Sequence, residues 1–110
     1  MPIDEFKQWI VEQEIEKRTL QGFWLNLNSY QKEDPDEFNH FFKNFSRDNL
    51  DVKITQIALM LGNYPECNHN HVISYVPIIY NGKEIGLYRL LFNLDGKIDD
   101  DYFTMEEERI

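Results

Sequence analysis

The sequence predicts an α+β fold in which N-terminal helices pack on a curved antiparallel meander of about four strands. Apolar residues recur at helical spacing through residues 1–48. Runs rich in β-branched and aromatic residues occupy 50–105, and two of them are joined to the next by Asn-Gly and Asp-Gly turn signals. A chain of 110 residues suffices for one core but not for two. We therefore expect a single domain with an acidic tail at 106–110.

The first helix is predicted to begin at Pro2, because proline suits the first position of a helix. Ile3, Phe6 and Ile10 share one helical face. A second apolar set continues the helical spacing and could extend the same helix: Leu20, Phe23, Trp24 and Leu27. Gly22 weakens this interpretation, and alternate residues of the set also fit a strand, but a helix is favoured.

A third helix is predicted to begin after Asp34, with Pro35 in its first turn and Glu37 completing a capping box. An aromatic stripe follows at helical spacing: Phe38, Phe41, Phe42 and Phe45. Such a stripe must face apolar groups, and a packed core is favoured over a cofactor site.

In the C-terminal half, the sequence pattern predicts three strands of an antiparallel meander, at 72–80, 84–94 and 97–105. They are joined by Asn81-Gly82 and Asp95-Gly96, which suit two-residue type I′ turns because both residues of such a turn need positive φ. Pro77 lacks an amide hydrogen, so its strand should be bulged or near an edge there.

Counting outward from two-residue turns predicts the cross-strand pairs. Tyr75 should face Tyr88, and Tyr88 should face Phe103. On the other side of the sheet, Ser74 should face Arg89, and Arg89 should face Tyr102. Neither face is cleanly polar, so we expect helices to cover one face and curvature or a partner to cover part of the other.

The charge of the chain restricts its partners. Lys and Arg total 11 against 20 Asp and Glu, which gives a net charge of −9. Such a charge repels phosphate backbones, so nucleic acid is not an expected partner. No apolar run approaches the ~20 residues that span a bilayer, so no membrane association is expected. One cysteine and no signal-peptide pattern favour a reducing, cytoplasmic location.

The sequence contains no phosphate-binding loop, nucleophile elbow or zinc-protease motif, so we predict neither enzymatic activity nor a cofactor. A weak metal candidate is Cys67, His69 and His71, whose two-residue spacing would align the three side chains on an extended segment. A closed zinc site needs four ligands, and the chain has only one other histidine and no second cysteine. A polar loop that enters a strand is the favoured interpretation.

The acidic residues form two clusters that we predict to bind a partner. The first cluster comprises Glu33, Asp34, Asp36 and Glu37. The second comprises Asp99, Asp100 and Asp101, with Tyr102 as an aromatic anchor. Opposite charge accelerates association with a basic protein, and aromatic anchors slow dissociation. The alternative is that these acids only provide solubility and an acidic tail.

The segments VPIIYNGKEIG (76–86) and FNLDGKI (92–98) carry a resemblance. With its acidic composition and helical front, the chain resembles the immunity proteins of bacterial polymorphic-toxin and contact-dependent growth inhibition systems. The same segments look like the end of cystatin-like and NTF2-like curved sheets. The resemblance implies a cognate basic toxin, often a nuclease, that is bound one to one and neutralised without chemistry. Immunity families diverge quickly, so no functional residue is carried over by position.

Two alternatives remain open. An NTF2-like domain would bind or transform a small ligand in a pocket around Arg89, on which Ser74 and Tyr102 could converge. In the plainer interpretation, Arg89 only stacks on Tyr102 and pairs diagonally with Asp100. The other alternative is a homodimer formed through the sheet face.

Overall fold

The computed structural model describes residues 2–106 and consists of helices followed by strands. The helices are α1 (Ile3–Glu12), α2 (Ile15–Glu33) and α3 (Pro35–Phe41), followed by a 3-10 turn at Arg47–Asn49. The strands are β1 (Leu50–Asp51), β2 (Gln56–Gly62), β3 (His69–Tyr80), β4 (Lys83–Phe92) and β5 (Ile98–Met105). The predicted α+β class is confirmed: the helices pack on an open antiparallel sheet. It has one strand more than predicted, and of the acidic tail at 106–110 only Glu106 lies within the described residues.

The sheet is organised around β3, which pairs with β4 on one side, and β4 pairs with β5. On its other side β3 pairs with two strands, β2 beside residues 69–75 and β1 beside residues 79–80. The open edges among the described strands are therefore β5 at one end and β2 with β1 at the other. Pro77 lies in the gap between β2 and β1, so it is next to an edge, as predicted.

The first two helices are separate, which corrects the expectation that one helix continues through both apolar sets. The break is at Glu14, which adopts a left-handed conformation with φ 52°. Gly22 is nevertheless inside α2, where a Cβ atom would lie 3.3 Å from Cζ of Tyr88 and closer still to its hydroxyl. Glycine is therefore required by the close approach of α2 to β4, and not by a helix end.

The third helix begins as predicted but ends early. The amide of Glu37 donates to Oδ1 of Asp34 at 3.3 Å, which is the expected cap. The helix ends at Phe41, and Asn44 has φ 52°, so the predicted helical extent through Phe45 is wrong. Phe38 and Phe42 are fully buried and stack with ring centroids 4.7 Å apart, which confirms that the stripe belongs to the core.

The register of the first hairpin differs from the prediction by one residue. Asn81 and Gly82 both have positive φ, and Tyr80 pairs with Lys83, as expected. Ile85 then forms a bulge, because Ile79 pairs with Glu84 but Ile78 pairs with Gly86. Beyond the bulge every pair is shifted: Tyr88 faces Val76, Arg89 faces Tyr75, and Leu90 faces Ser74. The predicted pairs Tyr75–Tyr88 and Ser74–Arg89 are wrong, because a bulge moves each later side chain to the other face.

In the second hairpin two irregularities cancel. The amide of Asn93 donates to the carbonyl of Lys97, which leaves a three-residue loop in which Gly96 alone has positive φ, so the predicted two-residue turn at Asp95-Gly96 is wrong. The amides of Asp95 and Lys97 donate to Oδ1 of Asn93, which closes the loop. Asp99 then forms a bulge that restores the predicted count. The pairs Tyr88–Phe103 and Arg89–Tyr102 are therefore confirmed.

The core lies between α2 and the inner face of the sheet, which we define as the face toward the helices. Its strand residues alternate along β3 and β4: Val72, Val76, Ile78, Tyr80, Tyr88, Leu90 and Phe92. They contact Ile15, Phe23 and Leu27 of the second helix. A fully buried polar pair also joins the two layers: the hydroxyls of Thr19 and Ser74 lie 2.7 Å apart.

The contact between Gly22 and Tyr88 predicts that replacing this helical glycine by alanine destabilises the protein, although the same replacement usually stabilises a helix. An alanine in a helix interior normally stabilises by about 1 kcal/mol relative to glycine. Here Gly22→Ala should lower the free energy of unfolding by about 1–3 kcal/mol, because the methyl group would overlap the Tyr88 hydroxyl. Urea denaturation measures this change. Most of the loss should disappear when Gly22→Ala is made in a Tyr88→Phe background, and an additive effect would contradict the steric explanation.

Candidate functional site

The candidate functional site is the outer face of the sheet, which we define as the face that points away from the helices. Its apolar side chains are Ala58, Met60, Ile73, Tyr75, Pro77, Ile79, Leu87 and Leu91. None of them belongs to the core cluster or to the residues packed against it. Within residues 2–106 the helices pack on the inner face alone, so this apolar surface is covered only by its own neighbours.

The centre of the outer face is apolar where water usually wets an antiparallel sheet. Ile73 is only 7% exposed although it lies outside the core cluster between helices and sheet, because it is in the middle of the outer face with a neighbouring strand on each side. Tyr75, Leu87 and Leu91 are half-buried in the same way. Gln56 and Arg89, which pair with Tyr75, are the polar side chains that cross this apolar face, and an exposed apolar face of this kind is typical of a protein-binding surface.

Near β5, the outer face carries charged side chains that are held in place by contacts with their neighbours. The guanidinium of Arg89 lies over the ring of Tyr102, 4.9 Å from its centroid, so the predicted stacking is confirmed. The hydroxyl of Tyr102 donates to Oδ2 of Asp100 at 3.0 Å, and this hydrogen bond raises the pKa of the tyrosine. Asp100 thus presents an ordered carboxylate at the margin of the apolar centre.

A second carboxylate at this margin belongs to Asp99, in the bulge of β5. Its Oδ2 lies 2.5 Å from Nε2 of His71, whose ring is 4% exposed. Nδ1 of His71 is buried and has no hydrogen-bond partner among the described residues. Sequence reasoning missed this pair, since only the bulge turns Asp99 toward the histidine.

Asp101 does not belong to the same surface, although the sequence grouped it with its two neighbours. It pairs with Leu90 on the inner face, and its Oδ2 accepts hydrogen bonds from Asn26 at 2.9 Å and from Tyr88 at 3.0 Å. Burial and this carboxylate raise the pKa of Tyr88. An inward-pointing charge on an edge strand also discourages pairing with other chains.

The other predicted acidic cluster lies at the junction of α2 and α3. Its members Glu33, Asp34, Asp36 and Glu37 are all exposed. Asp34 caps the third helix, and Glu37 lies beside Tyr30, whose pKa is raised to about 12 by burial and by that neighbouring charge. Because the helices pack on the inner face, this cluster and Asp100 are on opposite sides of the sheet. The two clusters do not form one surface.

The alternative pocket around Arg89 is not assembled as predicted. Arg89 and Tyr102 lie on the outer face, whereas Ser74 is buried on the inner face against Thr19. A groove of about 320 Å³ exists elsewhere, between the first helix and β2. Its lining is mostly apolar: Ile3, Phe6, Lys7, Ile10 and Ile57.

The metal candidate also fails to form the expected arrangement. Cys67 has φ 52° and precedes β3, which begins at His69, so the three residues do not lie on one extended segment. The rings of His69 and His71 are 4.5 Å apart. In the described part of the chain, no group of three His, Cys, Asp or Glu residues is placed to hold a metal ion.

Comparisons of the chain with protein-family models, with curated proteins and with solved structures find no significant match. None of the helices within residues 2–106 combines the length and the apolar character needed to cross a bilayer.

The raised tyrosine pKa values predict alkaline destabilisation. In the unfolded chain Tyr30 and Tyr88 lose their protons near the ordinary tyrosine pKa of about 10. The folded chain keeps both protons to higher pH, so it binds more protons than the unfolded chain and its stability falls as pH rises from 10 toward 12. Urea denaturation across this range measures the slope. Tyr88→Phe should flatten it, with Tyr64→Phe as the matched control at an exposed position, and an unchanged slope would contradict the prediction.

Proposed function

We propose that this protein is an immunity-type binding protein that neutralises a basic toxin domain, most simply a nuclease, by covering its active site in a one-to-one complex. The outer face of the sheet is the proposed contact surface. The observation that carries the proposal is the uncovered apolar centre with the ordered carboxylates of Asp99 and Asp100 at its margin.

The two parts of this surface would act on different steps of binding. A net charge of −9 attracts a basic domain from a distance, and carboxylates at the margin orient it during approach. The apolar centre then excludes water and slows dissociation, with Tyr75 and Tyr102 as aromatic anchors. Neutralisation by occlusion requires no reacting group on this chain.

The predicted partner-binding residues contribute unequally in this proposal. Asp99, Asp100 and Tyr102 contact the partner. Asp101 supports β5 from the inner face through Asn26 and Tyr88. The cluster from Glu33 to Glu37 adds to the long-range field but lies on the other side of the sheet, where it would not touch a partner bound to the outer face.

The steering role is tested with the basic toxin domain that this proposal expects to be encoded directly upstream of this gene. Asp100→Lys should slow association about tenfold at low salt and reduce the salt dependence, because it reverses a charge at the contact. Asp36→Lys makes the same charge change at an exposed site on the opposite side and should slow association by only about twofold to threefold. Stopped-flow fluorescence gives both rates. Equal effects of the two variants would contradict the assignment of the outer face.

The role of the apolar centre is tested through dissociation from the same toxin domain. Leu87→Ala should raise the dissociation rate about tenfold while association changes little. The substitution removes apolar contact whose burial contributes about 1–2 kcal/mol to the free energy of binding. Leu25→Ala, at a leucine of α2 that is 69% exposed, is the matched control. Inhibition of the toxin's activity should weaken in parallel with affinity. A complex that forms normally with Leu87→Ala would contradict the proposal.

A further inference from the structure

The second open edge of the sheet, β2, has a different character from the outer face. No charged residue occurs from Ile54 to Pro65. Leu59 and Met60 are each 37% exposed, and Leu61 is 53% exposed. On its free side this strand has no partner strand among residues 2–106, so its outward backbone N–H and C=O groups are available for a further strand.

The opposite edge shows how this chain protects a strand that should stay unpaired. β5 carries three consecutive acids, one of them pointing inward, which is a common protection against edge pairing. β2 carries no such protection. An exposed, apolar and uncharged edge strand is the kind that pairs with another chain.

The groove between α1 and β2 extends the same apolar surface. Ile3 is 69% exposed, and no residue of the first helix is fully buried. Phe6, Ile10 and Ile57 line the groove beside it. The apolar side of the first helix is therefore only partly used by this chain's own core.

We propose that β2 pairs antiparallel with β2 of a second copy of this chain, with the two-fold axis at Leu59. In this register Leu59 faces Leu59 of the second copy, and Ile57 faces Leu61 of the second copy. All three residues alternate onto the inner face, so they form one apolar row beside the two first helices. The arrangement is self-complementary, as a two-fold interface requires.

Charge favours a second copy as the occupant. Two molecules of net charge −9 repel, and they meet most easily where the fewest carboxylates face each other. β2 itself carries no carboxylate, whereas the β5 edge would oppose acids to acids, and the first helix adds Asp4 and Glu5 of its first turn. A basic foreign protein would instead be drawn to the acidic margin of the outer face, which this edge lacks.

The surface area that edge pairing can cover indicates how tightly the dimer should associate. A seven-residue strand is about 23 Å long and a sheet is about 10 Å thick, so edge pairing alone covers about 230 Å² per copy. Stable interfaces cover about 800 Å² per partner. The exposed apolar residues of the two first helices must supply part of the difference, and the dimer should be weak and dependent on concentration.

This inference does not rest on the proposed function, and the two respond to salt in opposite directions. Binding of a basic partner should weaken as salt screens attraction. Dimerisation should strengthen, because salt screens the repulsion between two acidic copies and leaves the apolar contact intact. Sedimentation velocity from about 10 μM to about 1 mM protein should show a monomer–dimer equilibrium that shifts toward dimer in about 0.5 M NaCl.

Two substitutions locate the interface. Leu59→Lys places two like charges opposite each other at the axis and should raise the dissociation constant of the dimer at least about tenfold. Leu25→Lys on α2 adds the same charge at an exposed site and should change it less than about twofold. A protein that stays monomeric at all concentrations, or a dimer indifferent to Leu59→Lys, would overturn the proposal.

Cross-linking gives a second measurement that does not depend on how Leu59→Lys folds. Directly opposite residues of an antiparallel pair have Cα atoms about 4.5–5.5 Å apart, within the range that a disulfide bridges. In a Cys67→Ser background, Leu59→Cys should therefore form a covalent dimer on mild oxidation, whereas Leu25→Cys should not. Equal cross-linking of the two variants would exclude the two-fold axis at Leu59.

Discussion

The packing of α2 on the inner face of the sheet determines which surfaces of this molecule are open. Gly22 allows the helix to approach Tyr88, and the hydroxyl of that tyrosine is in turn held by Asp101. The helix is thereby fixed over β3, β4 and β5. The three described helices form a single layer, so the outer face has no cover and the first helix only partly shields β2.

The acidic residues of this chain have distinct physical roles that a net charge conceals. Asp34 caps a helix, Asp101 joins the second helix to β5, and Asp99 contacts a buried histidine. Each of these carboxylates has local partners that fix its position, which a freely solvated acid lacks. The count of −9 therefore describes the long-range field well, but the short-range surface depends on which carboxylates remain accessible.

The sequence predicts the class of this fold because its strongest signals are local. The cap at Asp34 and the Asn81-Gly82 turn depend on a few adjacent residues, and both occur as expected. The faces of the sheet depend on counting through every strand position, so one bulge at Ile85 reverses the assignment of Arg89 relative to Ser74. The pairing of His71 with Asp99 was beyond reach for the same reason, since it exists only through the bulge in β5.

The β2 edge and the outer face can be occupied at the same time, because one partner extends the sheet in its plane and the other docks perpendicular to that plane. Extension through the β2 edge continues the sheet in its own plane, and docking on the outer face occurs normal to that plane. A two-fold axis perpendicular to the sheet keeps both helical layers on one side and leaves both outer faces on the other. In such a dimer the two β5 strands lie at the outer ends of the extended sheet, so the acidic margins are far apart and each outer face can hold its own partner one to one.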